Sequence, residues 1–196
     1  MRPVRHWISA VLLGVVLTGC AQSEPSRFYG LASLPVHTEE PNLAEVSVGI
    51  VPVILPEYLN RPQIVTRSSP TTLEIAELER WVEPLDSMAT RIMVQNLSDW
   101  TGSDAILVLP QRRESRYDWF LELEFLRFDA GTDGMVLDAR WSLFEGRNET
   151  LAASKRSVIE LSVDMAGADR FDAIARAMSV GMALLGEEIL QAMGGG

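Results

Sequence analysis

Two histidines and a single cysteine are all that this 196-residue chain holds of the side chains that most often ligate transition metals or act as nucleophile and base. A zinc centre or a catalytic triad needs several such groups, and beyond the N-terminal leader only His37 remains, in a proline-flanked polar stretch where it reads as an ordinary exposed histidine. One thiol cannot form an internal disulfide, so stability has to come from the core, which a 47% hydrophobic composition can supply. There is no G-x-x-x-x-G-K loop, so the chain does not itself hydrolyse nucleotide. Basic charge is short as well. The formal net charge is −10, and removing the leader takes away Arg2 and Arg5 but no acid, which argues against nucleic acid or an anionic bilayer surface as a direct ligand. No internal repeat is present.

Acidic side chains are plentiful, yet their placement speaks for solvation. Asp129, Asp133 and Gly134 fall at positions one, five and six of a calcium-loop pattern, but position three is Gly131 and position twelve, where a bidentate glutamate is required, is Arg140. The stretch from Asp129 to Gly134 therefore reads as a hairpin turn. Glu122, Glu124, Asp138 and Glu160 could by number furnish an acid/base pair of the glycosidase kind, but they alternate with apolar residues as a solvated sheet face does. The mature tryptophans, Trp81, Trp100, Trp119 and Trp141, fall at core-type positions, although one or two could line an apolar groove.

The lone cysteine carries the strongest signal. Leu17-Thr18-Gly19-Cys20 follows a basic start and an apolar run from Ile8 to Leu17, the layout of an export signal with small residues at the cut, and the run is too short to span a bilayer comfortably. Residues 1–19 are thus expected to be a lipoprotein signal peptide and Cys20 the lipidated first residue of the mature chain. Each acyl chain would contribute about 0.8 kcal/mol per buried methylene. An ordinary cleaved signal followed by a stray cysteine, or an uncleaved interfacial helix, are the alternatives. Ala21, Gln22 and Ser23 follow the cysteine; the absence of an aspartate directly after it favours the periplasmic face of the outer membrane. No cofactor is expected beyond the covalent lipid on Cys20.

Residues 20–44 read as the lipidated cysteine and a tether, with a short docking strand at Phe28-Tyr29-Gly30-Leu31, and residues 45–196 as a single periplasmic α+β domain. Val46 to Ile54 is a β-branched run ended by Pro56. Gln63–Ser68 and Thr72–Ile75 make two short strands around Ser69-Pro70, with Trp81 just before the next element. Leu85, Met88, Ile92, Met93, Asn96 and Leu97 recur at helical spacing after Pro84, with Gly102 as the stop. Ala105–Leu109 is a compact strand, and Arg112 to Arg116 a solvated loop. Tyr117, Trp119, Leu121, Leu123 and Phe125 alternate with acids, and Met135 to Leu143 repeats the alternation, predicting a long hairpin that Leu151–Leu161 extends into a meander. In that third strand Lys155 and Arg156 are expected to pair with acidic neighbours across the sheet. A second amphipathic helix runs from Asp169 to Met193, weakened slightly by Gly181 and Gly186. The expected fold is α+β: a mainly antiparallel sheet with two amphipathic helices packed on one face.

Two blocks, Pro56-x-Tyr58-Leu59-x-Arg61-Pro62-Gln63-Ile64-Val65 and Arg80-Trp81-x-Glu83-Pro84-Leu85, resemble the signature segments of the PqiC-type lipoproteins, the auxiliary lipoprotein family of ABC-type transport systems. The lipobox, Phe28-Tyr29-x-Leu31 and the final helix fall in the order that family has. The resemblance implies an outer-membrane lipoprotein without enzymatic activity, working with an MCE-domain tunnel protein and inner-membrane transport components to move lipids or other apolar molecules, and it makes a homo-oligomeric ring a fair expectation. Tyr58, Arg61, Gln63 and Arg67 are the candidate partner or subunit surface, with internal scaffold the competing reading. Arg61 and Arg67 lead because arginine is favoured at interfaces. Three functions stay open: an adaptor for a transport tunnel, a lipid carrier with its own apolar cavity between sheet and helices, and, remotely, a carboxylate-based envelope hydrolase.

Overall fold

The computed structural model describes residues 24–35, 45–109, 117–146 and 150–194. The lipobox with Cys20, His37, and the Arg112 to Arg116 loop lie outside the described residues.

Eight strands form one mixed sheet: β1 Arg27–Tyr29, β2 Val48–Ile50, β3 Gln63–Ser69, β4 Thr72–Trp81, β5 Ile106–Val108, β6 Trp119–Gly131, β7 Gly134–Glu145 and β8 Thr150–Leu161. Helices α1 (Leu85–Thr101) and α2 (Arg170–Gly194) complete an α+β fold. The long strand β6 organises the sheet. On one edge it pairs antiparallel with β7, which pairs antiparallel with β8, as the alternation in the sequence predicts. On its other edge it is shared: its start pairs parallel with β2, and its last residues pair parallel with β3. With β2–β5 and β1–β4 also parallel, the expectation of a mainly antiparallel sheet is corrected to a mixed one. The parallel pairs join segments far apart in sequence, so no local pattern encodes them.

Three local features depart from the sequence reading for identifiable reasons. The β-branched run from Val46 to Ile54 is interrupted as a ladder because Pro52 has no N–H to give; β2 is three residues long, its pairing with β6 ends at the Val51 N–H to Leu121 carbonyl bond, and past Pro52 it resumes at the Ile54–Glu124 bridge. The turn between β6 and β7 is tighter than the segment from Asp129 to Gly134: Gly131 already pairs with Gly134, leaving Thr132 and Asp133 as a two-residue loop, with Gly134 at φ +125°. Asp129 is therefore a strand residue. Finally, Leu126 has no register partner, because the pairing steps from Phe125–Ala139 to Arg127–Asp138. This bulge lets both Phe125 and Phe128 enter the core, edge to face with centroids 5.2 Å apart, and turns Asp129 away from it.

The inward faces of the sheet and both helices share one core, in which Met88, Met93, Met135 and Met182 are fully buried. Leu109, Tyr117 and Phe120 form a smaller apolar cluster of their own. The two glycines inside α2 are points of close approach: a Cβ on Gly186 would stand 2.7 Å from Trp100 Cζ3, and one on Gly181 would stand 2.6 Å from the Met135 methyl. Of the two cations in β8, Arg156 makes the expected cross-strand pair with Asp138, while Lys155 pairs instead with Glu188 of α2. Adjacent strand residues point to opposite faces.

Candidate functional site

The two sequence blocks come together in space. The first runs through a 3-10 turn, Glu57–Leu59, into β3; the second forms the end of β4 and the start of α1, and the Trp81 N–H donates to the Pro62 carbonyl at 2.7 Å. Pro56 and Pro84 each fix the backbone just before a helical turn. Between the blocks lies a pocket of about 580 Å³, floored by aliphatic side chains and Trp81, with Arg61 in its wall. Ile54 and Val82, 61% and 63% exposed, also line it. This cavity lies beside the block junction, and among the described residues the inward faces of sheet and helices meet in one cluster of buried side chains.

Of the four candidate contact residues, two converge on a residue that sequence reasoning placed in a turn. Tyr58 donates its hydroxyl to Asp129 Oδ2 at 2.7 Å, and Arg67 Nη2 reaches the same oxygen at 2.9 Å while Arg127 Nε binds Oδ1 at 2.8 Å. The Arg67 guanidinium also stacks over the Tyr58 ring, 5.6 Å from its centroid, and Nη1 donates to the Pro70 carbonyl. The Asp129 side chain is fully buried. Burial pushes the Tyr58 phenol up to about 12, helped by its hydrogen bond to Asp129, and the hydrogen bond to Asp129 likewise raises Arg67. A carboxylate held by two guanidiniums and a phenol is a structural knot that ties the 3-10 turn and β3 to β6. Such a carboxylate has no open side for an acid/base role.

Arg61 and Gln63 do not join that cluster. Gln63 opens β3 opposite Arg80. Arg61 makes no side-chain hydrogen bond or ion pair among the described residues, and its Nε is buried without a partner. Cys20 lies outside the described residues. Asp129 was the residue missed, and the signal for it is the three-residue spacing of Phe125 and Phe128: strict alternation cannot bury both, so a bulge has to intervene and move position 129 off the core face.

A second knot holds the first strand. Arg27 and Tyr29 of β1 both bind Glu79 of β4, through Arg27 Nη2 at 2.5 Å and the Tyr29 hydroxyl at 2.7 Å. Burial pushes Glu79 up, but the hydrogen bonds from Arg27 and Tyr29 outweigh it and hold the carboxyl below its ordinary range. Tyr29 is driven up to about 12 by burial and by the same bond. No group of three or more His, Cys, Asp or Glu that could hold a metal ion occurs among the described residues.

Comparison with solved structures places this fold among known ones. The chain is similar to an uncharacterized protein of known crystal structure at 22% identity, with a TM-score of 0.69 over 87% of this chain and 99% of that one. It is also similar to protein XCC0632 from Xanthomonas campestris at 16% identity, with a TM-score of 0.71 over 85% and 96% of the two chains. No curated protein matches. The model of the ABC-type transport auxiliary lipoprotein component matches residues 29–190, which takes in both sequence blocks, the Asp129 knot and most of α2. The chain belongs to the family of ABC-type transport auxiliary lipoprotein components.

Proposed function

We propose that this protein is lipidated on Cys20, held on the periplasmic face of the outer membrane, and serves as the adaptor of an ABC-type system in which an MCE-domain tunnel protein and inner-membrane components move apolar cargo between the two membranes. The observation that carries the reading is the family match from residue 29 to 190 lying directly downstream of Leu17-Thr18-Gly19-Cys20. The geometry supports an adaptor over a hydrolase: Asp129 and Glu79, the two buried carboxylates among the described residues, are each committed to a tyrosine and at least one arginine.

The test is mass-spectrometric identification of everything that co-purifies with the acylated protein from gently solubilised envelopes, beside a Cys20→Ser chain that cannot be lipidated. Recovery of an MCE-domain protein only with the acylated chain is the expected result; a defined bound lipid and no such partner would move the assignment to an independent carrier. A homo-oligomeric ring belongs to the same proposal, with Arg61 and Gln63 as its contact candidates, because Tyr58 and Arg67 are spent internally on Asp129. Arg61→Glu removes no internal bond, so it should leave folding intact and lower the assembled mass in light scattering at least severalfold. Unchanged assembly and transport would remove Arg61 from the contact.

A further inference from the structure

The pocket between the two blocks has the volume of a small-molecule site, about 580 Å³ against roughly 300–1,000 Å³ for such sites in general. Its charged groups are not equivalent. Glu83 is held by Arg91, and Glu57 and Asp86 have Asn60 and Ser87 within 3.5 and 3.4 Å. Arg61 is the one cation in the lining, and no side-chain hydrogen bond or ion pair engages it among the described residues. A guanidinium stays charged at any physiological pH and offers a planar fork that fits a carboxylate or a phosphate.

The strand backbone along the pocket is, by contrast, already paired. Ile54 donates to Leu123 and accepts from Phe125; Trp81, Val82 and Asn60 donate to Pro62, Tyr29 and Glu57 respectively. An extended peptide entering here would find no open ladder to join and would bury its own amides without partners. A ligand with one anionic end and an otherwise featureless apolar body meets neither difficulty. Its head satisfies Arg61, and its body covers the aliphatic floor and the exposed side chains of Ile54 and Val82.

We propose that the pocket lined by Arg61, Trp81, Ile54 and Val82 binds a single-chain anionic amphiphile, an aliphatic chain ending in a carboxylate or phosphate, with Arg61 as the head-group ligand. The assignment stands on the pocket alone and does not depend on the transport role. It is tested on the full acylated protein in its own envelope with three photoreactive probes of equal chain length, each carrying a chain diazirine: a fatty acid, a lysophosphatidic acid and a neutral monoacylglycerol.

Crosslinked peptides are then mapped by mass spectrometry. The expected result is labelling on the peptides holding Ile54 or Trp81-Val82 by one or both anionic probes, competed by the unlabelled ligand. That labelling should fall at least tenfold with the neutral probe and in Arg61→Gln. Which anionic probe labels identifies the head group. Val82→Glu, which places a charge at an exposed position of the lining, should abolish labelling as well, and an unchanged thermal unfolding midpoint certifies both variants as folded. Labelling by the monoacylglycerol equal to that by the acids, labelling indifferent to Arg61→Gln, or labelling spread over Phe28 and Leu151 with none in the pocket would each overturn the proposal.

Discussion

Removing the carboxylate of Asp129 would leave Arg67 and Arg127 together without a counter-charge and the Tyr58 hydroxyl without an acceptor. Breaking a buried pair from one side costs about 3–5 kcal/mol. Arg127, whose side chain is 32% exposed, can recover part of its hydration, so Asp129→Ala should lose about 3 kcal/mol. Asp129→Asn, which keeps the shape and one acceptor, should lose about 1–2 kcal/mol, and Tyr58→Phe about 1 kcal/mol. Urea midpoints at neutral pH check the order, and a loss for Asp129→Ala no larger than that for Tyr58→Phe would refute the knot as described. The same residues set an alkaline limit. Tyr58 and Tyr29 both rise from 10 to about 12 in the folded chain. Because the folded pKa is the higher one, the stability these phenols contribute is complete below about 10 and is lost as pH climbs through about 12. Absorbance at the phenolate band should show Tyr29 and Tyr58 resisting titration until about 12, and Tyr58→Phe should remove one of these two late steps.

At the scale of the helix, α2 carries two interior glycines that sequence reasoning scored only by propensity. Replacing either by alanine gains about 1 kcal/mol of helix propensity, but the space differs. At Gly181 the nearest atom to a new Cβ is the terminal methyl of Met135, on a flexible side chain, so Gly181→Ala should fall within about 0.5 kcal/mol of wild type. At Gly186 it is the rigid Trp100 ring, fixed by its Nε1 hydrogen bond to the Leu34 carbonyl at 2.9 Å. Overpacking there costs about 1–3 kcal/mol, giving a net loss of about 1 kcal/mol. A double-mutant cycle checks this: in a Trp100→Leu background Gly186→Ala should become neutral or stabilising, whereas strict additivity would refute the contact. Much of both helices was legible from the sequence because the 3.6-residue period is local; Met88, Ile92, Met178, Met182 and Ile189 are buried as that period requires. The β6–β7–β8 meander was legible for the same reason, from the alternation of Leu121, Leu123 and Phe125 and of Leu137, Ala139 and Trp141. What local periodicity cannot encode is which distant segment shares an edge. The parallel seats of β2 and β3 on β6 were invisible for that reason, and so was the meeting of Tyr58, Arg67 and Asp129, whose partners lie 62 and 71 residues away in sequence. The two blocks were recognised as blocks, but the pocket between them appears only when Pro62 and Trp81 are brought into hydrogen-bond contact.

Taken as one molecule, the sheet is closed near its outer strands by carboxylates whose ionised form is favoured by folding. Glu79 ties β1 to β4, and Asp138 ties β7 to the outer strand β8 through both oxygens to Arg156. The hydrogen bond from Arg156 outweighs burial and holds Asp138 below its ordinary value of 3.8, and Glu79 is likewise held below 4.5. With the folded pKa the lower one, the unfolded chain binds more protons in this window, so the stability from both groups is complete above about 4.5 and drains away as pH falls through the depressed values. An opposing effect accompanies it, since acidification also relieves the self-repulsion of a chain with formal net charge −10. The two are separable because repulsion is spread over the whole surface while the loss is local. Urea midpoints measured from pH 7 to pH 3 should hold level and then fall, and Glu79→Gln with Asp138→Asn should lower the neutral plateau while flattening the acid decline. Hydrogen exchange near pH 4 should then show β1 and β8 opening before β6 and β7, whose inward side chains Leu121, Leu137 and Leu143 are fully buried. A decline of equal slope in the double variant, or uniform loss of protection across the sheet, would place the acid sensitivity elsewhere than at the outer strands.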